Sequence, residues 1–350
     1  VHWKPESNPV NSPFLTLQEI TPGEWVEVVK ERVPIPTKRG TLIATRKTPT
    51  RETRAIFVTV HGFGQNRYSF HLPRYSFTAF CARSGIETWN LDLSGHGLSY
   101  PLSSLPSSID DYIDDLISTV KWIRKESDLP LFLLGHSLGG GVIVGSVQEI
   151  RKEIQGAVLL AGVYQFGGRN PLYKLLGDFL QKVHLLPDST PIPIFSIGNL
   201  LSRIPFLFNL SPLEYSPVQL WYPGNLPREV IPFRLKKGFD RTTLGVLRHL
   251  CSISTKKVFL SRDENINYHE EWRTHATFPL LVLAGSKDVL LPPSDAKPAF
   301  TESPSRDKTF KVFSEREGGR PYGHVDLIQG IQAPRYVWRE IVNWALSRIP

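Results

Sequence analysis

The sequence predicts an α/β fold, a mostly parallel sheet covered by helices on both faces and interrupted by an inserted, mainly helical cap. Three observations predict it. Short runs at 55–60, 86–91, 131–134, 157–161, 279–284 and 308–313 have the length of strands, and those at 55–60, 131–134, 157–161 and 279–284 have the nearly continuous apolar composition of strands buried on both faces. Helical segments fit between them, and such alternation implies right-handed crossovers between parallel neighbours. Between 163 and 275 the alternation stops, proline and aromatic residues crowd together, and the strand pattern then resumes.

Residues 1–23 carry Pro5, Pro9, Pro13 and Pro22 among polar residues, which predicts an arm lying over the surface and carrying no chemistry. Residues 24–30 and 41–47 alternate or run β-branched on either side of a turn region with Pro34, Pro36 and Gly40, the pattern of an antiparallel hairpin. One helix, over 69–82, fits between the strands at 55–60 and 86–91. Ile109, Tyr112, Ile113, Leu116, Ile117, Val120 and Ile123 recur at helical spacing behind a capping box offered by Ser108 and Asp111, and mark the clearest helix in the chain. Asp110, Asp111, Asp114 and Asp115 at its start are expected to face the helix dipole and water rather than a metal. The strand at 131–134 runs into Gly135-His136-Ser137-Leu138-Gly139 and a helix through about 152, and a helix over 333–348 closes the chain. The core is thus expected at 24–162 and 276–350 and the cap at 163–275, with no internal repeat.

A chain of 350 residues, 41% hydrophobic and 21% charged, can bury one large core, which excludes a disordered or fibrous protein. Cys81 and Cys251 are too few for a disulfide framework or a cysteine zinc site. No run approaches the length of a membrane-spanning helix, and Val1-His2-Trp3-Lys4-Pro5 lacks the apolar heart of a signal peptide, so a cytoplasmic location is favoured. The formal charge is +8, and residues 163–275 hold 14 Lys and Arg against 9 Asp and Glu. A basic cap is by default a solvated face; its sharper role is contact with an anionic membrane or polymer surface. No stacking motif or basic helix accompanies the charge, which argues against nucleic acid.

The chemistry centres on Ser137. In G-x-S-x-G, glycines on either side of a serine allow a strained strand-to-helix turn that lifts the hydroxyl clear of the backbone, and here a strand precedes the pattern and a helix follows it. His61-Gly62-Phe63-Gly64, after the strand at 55–60, can fold closely against that serine. The Phe63 N–H and the Leu138 N–H, the latter at a helix start, are the expected oxyanion donors, and His61 is expected to brace the loop. A serine hydroxyl needs a base, and the base needs an acid to fix its tautomer. His324, in the loop Gly323-His324-Val325-Asp326 after the last strand, is the candidate base. Asp288, just after the strand at 279–284, is the candidate acid. Asp263 and Asp295 are weaker candidates, and His269 and His275 read as surface or hinge residues.

The order Ser137, Asp288, His324, with the elbow at Ser137, resembles the α/β-hydrolase superfamily over roughly 24–162 and 276–350. Asp92-Leu93-Ser94-Gly95-His96-Gly97-Leu98-Ser99 adds to the likeness, since it is similar to the D-x-R-G-H-G-x-S loop of monoacylglycerol-lipase-like esterases, with Ser94 where that loop has arginine. The resemblance implies a serine hydrolase with a lid inserted after the sixth strand and with neither cofactor nor metal. Serine at the elbow speaks against the dehalogenases and epoxide hydrolases, which have aspartate there, and the polyhydroxyalkanoate synthases, which have cysteine. Proline beside large apolar groups, as in Ile192-Pro193-Ile194-Phe195 and Ile204-Pro205-Phe206-Leu207-Phe208, suits the irregular walls of an acyl pocket. The expected activity is hydrolysis of lipid-like acyl esters through an acyl-serine. Alternatives are acyl transfer or polyester depolymerisation with the same triad, and ligand binding without catalysis.

Overall fold

The computed structural model describes residues 10–167, 175, 178–179, 186–202 and 220–349, and nine of its strands form one sheet. In chain order these are β1 (Asn11–Thr21), β2 (Glu24–Thr37), β3 (Gly40–Pro49), β4 (Ala55–Val60), β5 (Ile86–Asp92), β6 (Leu131–His136), β7 (Gly156–Leu160), β8 (Leu280–Gly285) and β9 (Lys308–Phe313). Their spatial order is β1-β2-β3-β5-β4-β6-β7-β8-β9, antiparallel through β1, β2, β3 and β5 and parallel from there on.

The two-residue period of the parallel strands divides the interior into two cores. Ile56, Val58, Val60, Leu131, Leu133 and Val282 face one side, where they meet α2 (Ile109–Glu126) and α3 (Leu138–Ile150) through Leu116, Val120 and Val142. Phe57, Phe132, Leu134, Leu281 and Leu283 face the other, against α1 (Phe77–Arg83) and the closing helix Ala333–Leu346, where Phe77 and Trp338 meet edge to face at 5.9 Å. Burial on both faces is why β4, β6, β7 and β8 read as nearly continuous apolar runs, whereas β9, at the sheet edge, is half-buried and carries Lys308 and Lys311. The expected capping box forms: Ser108 caps α2 and the Asp111 carboxylate reaches back to the Ser108 N–H. No helix among the described residues is long and apolar enough to cross a membrane.

Three local expectations are corrected. The N-terminal arm contains an edge strand: β1 pairs along β2, buries Ile20, and carries Pro13 at the register shift between Asn11 and Phe14, where a missing N–H breaks no ladder. The hairpin strands are longer than expected because Pro34 and Pro36 lie within β2; its pairing with β1 ends at Arg32, so both prolines occupy a stretch with one open edge. The helix expected over 69–82 shrinks to α1. Pro73 and Arg74, the latter at φ 65°, turn the chain through a small hairpin, His71–Leu72 against Tyr75–Ser76, before Ser76 caps Ala79.

After β7 the sheet is left until β8. The described part of this interval holds α4 (Ile194–Leu201), α5 (Ile231–Lys237), α6 (Leu244–Lys256) and α7 (Tyr268–His275), and beyond β8 come α8 (Pro293–Glu302), α9 (Asp326–Gln329) and α10 (Ala333–Leu346). The sequence 204–208 lies outside the described residues.

Candidate active site

Ser137 occupies the junction of β6 and α3, with φ 57° and ψ −124°, a conformation costly for a residue with a side chain. Close packing holds it there. A Cβ at Gly135 would lie 2.4 Å from the Gly139 carbonyl oxygen, and one at Gly139 only 2.1 Å from that of Val60, so the turn closes only with glycine at both positions. The Ser137 N–H donates to the Leu160 carbonyl at 3.1 Å, and its own carbonyl accepts from Gly140 and Val163 at 2.9 Å, tying the turn to the end of β7.

The oxyanion-loop candidates face this serine. A Cβ built on Gly62 would stand 2.9 Å from Ser137 Cβ and 3.3 Å from its Oγ, so absence of a side chain brings the backbone beside Phe63 against the hydroxyl. Leu138 supplies the first amide of α3, which has no acceptor within the helix. His61 donates from Nδ1 to the Gly62 carbonyl at 3.0 Å and accepts the Leu93 N–H on Nε2 at 3.2 Å. Burial, helped by His96, lowers its pKa to about 3, so it is a neutral brace.

Asp288 and His324 come together at the same edge of the sheet. Asp288 Oδ1 accepts the N–H groups of Leu290 at 2.9 Å and Leu291 at 2.8 Å, while Oδ2 lies 2.8 Å from His324 Nδ1. A carboxylate at Nδ1 fixes the proton there and leaves Nε2 as the lone-pair nitrogen. Both side chains are buried. His136, next to Ser137 in the chain, donates from Nε2 to the His324 carbonyl at 3.1 Å, and the two rings are 4.7 Å apart. Of the weaker candidates, Asp263 lies in a turn beside Ser261 and Asn265, and Asp295 stands in the first turn of α8.

The Asp92 loop is braced without the arginine that Ser94 replaces. Arg67 donates to Asp92 Oδ1 from its backbone at 2.8 Å and to Oδ2 from Nη1 at 2.6 Å, and Leu98 adds a third N–H at 2.9 Å. Burial opposes ionisation of Asp92, but the Arg67 charge and these donors hold its carboxyl below the usual range. Ser94 instead donates to Asp115 through N–H and hydroxyl at 2.8 and 2.9 Å. Asp115 is therefore not solvated as its position in the aspartate cluster suggests; burial pushes its pKa up to about 7. His269 is corrected likewise: it is buried, stacked on Tyr164 at 4.1 Å, whereas His275 pairs with Glu271 at 3.2 Å.

Two further carboxylates went unassigned in the sequence. Asp326 Oδ2 accepts the N–H groups of Gly323 (2.7 Å) and Tyr222 (2.9 Å) and the Asn225 amide (3.0 Å), joining the His324 loop to the chain before α5. Burial raises its pKa to about 7. Asp240 Oδ2 accepts from Gly97 at 2.7 Å and Asn66 at 3.1 Å, and its N–H donates to the Gly64 carbonyl at 2.8 Å, fastening the chain after α5 to the loop that carries Phe63. The only signal for Asp326 was its place in the histidine loop; Asp240 had none. Among the described residues no group of His, Cys, Asp and Glu is placed to share a metal ion.

A strained serine between strand and helix, with a histidine–carboxylate pair on the loops after later strands, is the arrangement of the α/β-hydrolase fold, and the chain has that fold, of the serine esterase and lipase-like kind. Residues 51–190 match the family model described as serine aminopeptidase, S33. Over 86% of its length the chain is 26% identical to 85% of the monoglyceride lipase of Rattus norvegicus. It is 24% identical, over 76% of its length, to 81% of the monoacylglycerol lipase of Mycolicibacterium smegmatis. The crystal structure of Paleococcus ferrophilus monoacylglycerol lipase superimposes with a TM-score of 0.60 at 18% identity, covering 87% of this chain and 99% of that one.

Proposed function

We propose that this carboxylic ester hydrolase cleaves lipid-like acyl esters through an acyl-serine intermediate, with Ser137 as nucleophile, His324 as general base and acid, and Asp288 as its orienting partner. The observation that carries the reading is the buried 2.8 Å contact between His324 Nδ1 and Asp288 Oδ2 on the edge of the sheet where Ser137 is presented. His324 Nε2 takes the Ser137 proton as Oγ bonds to the ester carbonyl carbon, and the tetrahedral oxyanion accepts hydrogen bonds from the Phe63 and Leu138 amides. Collapse breaks the ester C–O bond, and the imidazolium returns its proton to the departing alcohol. Water, deprotonated by the same nitrogen, then releases the carboxylic acid and restores the serine.

A lipid-like substrate is supported by the relatives, which are named as monoglyceride lipases, and by the exposed Leu175, Phe179, Leu186 and Leu200 of the segment between β7 and β8, apolar groups suited to contact with a lipid surface. The reading is tested with p-nitrophenyl esters of increasing chain length and a fluorophosphonate probe. Turnover with an optimum at medium or long chains, and probe labelling lost in Ser137→Ala, is the expected result. A protein that binds long-chain esters yet neither turns them over nor labels would instead be a non-catalytic member of the fold.

A further inference from the structure

Guanidinium groups keep their charge, so an arginine inside a protein needs an anionic partner. Arg67 and Arg248 show the usual solution, at 2.6 Å from Asp92 and 2.7 Å from Asp188. Arg234, on α5, does not. It is fully buried; Nη1 donates to the Gly238 carbonyl at 2.7 Å and the guanidinium carbon stands 4.9 Å over the Phe239 ring, while Nε and Nη2 make no hydrogen bond among the described residues. Burial alone pulls its pKa down, to about 10, which leaves it cationic at neutral pH. A Cβ at Gly238 would lie 2.2 Å from Nη1, so that glycine is shaped to the guanidinium.

The two unsatisfied nitrogens share one edge of the guanidinium. Nε–H and Nη2–H point in parallel, the arrangement that takes two oxygens of a carboxylate or phosphate at once. This edge belongs to a residue held between the loops of the reaction. Ile231 and Leu235 of the same helix cluster with Val325, which follows His324. Phe239 bridges Gln65 through the backbone, next to the Gly64–Asp240 bond. His136, beside Ser137, is kept neutral by burial, and the Arg234 charge acts in the same direction.

We propose that the Nε/Nη2 edge of Arg234 binds an oxyanion carried by the substrate, two anionic oxygens on one carbon or phosphorus, so that acidic acyl esters are preferred over neutral ones. The proposal rests on the ester-cleaving reading of Ser137, Asp288 and His324. An uncharged ester leaves the guanidinium unpaired, and a site built around a buried polar group discriminates strongly against ligands that cannot satisfy it. The excess of basic residues over 163–275 draws such substrates toward the site.

The test compares kcat/KM for three esters of one acyl chain: a 1-acylglycerol, a 1-acylglycerol 3-phosphate and a 3-acylglycerate. The wild type is expected to favour one of the acidic esters by about 10- to 100-fold, the range of a charged hydrogen-bonded contact, and which one it favours distinguishes phosphate from carboxylate. Arg234→Met, of similar length without the charge, should bring the acidic-to-neutral ratio close to one, and Arg234→Lys should retain part of it. A wild type without acidic preference, or an undiminished ratio in Arg234→Met, overturns the proposal. Should Arg234→Met fail to fold, calorimetry on Ser137→Ala decides: tighter binding of the acidic esters than of the acylglycerol supports the site, and equal binding overturns it. Tight acidic binding to Ser137→Ala with no turnover of any ester by the wild type would instead sink the ester-hydrolase reading and leave the anion site standing.

Discussion

The two walls around Ser137 are built differently. On the sheet side, Ser137, Asp288 and His324 sit at or just beyond strand ends, and the histidine–carboxylate pair is closed: both Asp288 oxygens have partners, and Nδ1 of His324 is spoken for. On the inserted side, α4 and α5 are fastened by a few polar contacts, those of Asp240 to Gly64, Asn66 and Gly97 and of Asp326 to the Tyr222–Asn225 turn, and Nε and Nη2 of Arg234 have no hydrogen-bond partner among the described residues. Register fixes the first wall, because a slipped strand would carry side chains packed in one core into the other. The second wall has no register, so its shape and charge are set by a few side-chain contacts. The difference teaches that strand pairing positions one wall and scattered side-chain contacts position the other.

Breaking the first wall should have the largest effect. Ser137→Ala and His324→Ala are expected to remove nearly all turnover, and Asp288→Asn, which favours the wrong imidazole tautomer, about 10⁴-fold of kcat, read with the best p-nitrophenyl ester at unchanged thermal stability. Near-normal hydrolysis by His324→Ala would reject it as the base.

Loosening the second wall should cost less. Asp240→Ala leaves the Gly97 N–H and the Asn66 amide without their acceptor, so unfolding by urea should show a loss of about 1–3 kcal/mol. Because the Asp240 carboxylate also holds Asn66, three residues after Phe63, kcat should fall about tenfold with a smaller change in KM. A fall confined to KM would mean that Asp240 shapes the substrate site and not the oxyanion loop.

The remaining effect falls on the pH dependence of folding and not on turnover. Asp115 and Asp326 are buried carboxyls raised from the ordinary aspartate range to about 7, so the folded state binds their protons more tightly than the unfolded state does. Their contribution favours folding while they are protonated, declines as pH rises above the unfolded aspartate pKa, and is lost through about 7. Urea midpoints should therefore drop between pH 5 and pH 8, and Asp326→Asn should flatten that slope while its carbonyl still accepts the Gly323 and Tyr222 N–H groups. An unchanged slope in both Asp326→Asn and Asp115→Asn would refute this account.

Where a residue's role follows from local pattern, the sequence was readable. Val58 and Leu133 lie in unbroken apolar runs because both faces of those strands are covered; Ser108 and Asp111 cap α2 by a four-residue rule; Ser137 lies in a glycine frame whose backbone demands are local. His324 and Asp288 were found by chain order and by their place just after strands. Legibility failed where distant segments decide. β1 is a strand only because β2 offers an edge to the alternation around Leu15 and Leu17, and the segment from 69 to 76 turns away from helix at Pro73.

By itself, then, the sequence determined the layered sheet, the elbow and which three side chains could form a triad, since strand burial, capping and tight turns are settled within a few residues. Only the tertiary structure decided that Asp115 is buried against Ser94, that Asp240 binds Gly64, Asn66 and Gly97, and that Arg234 has no carboxylate beside it among the described residues. Burial and charge pairing depend on what the rest of the chain brings within a few ångströms, and no local pattern carries that information.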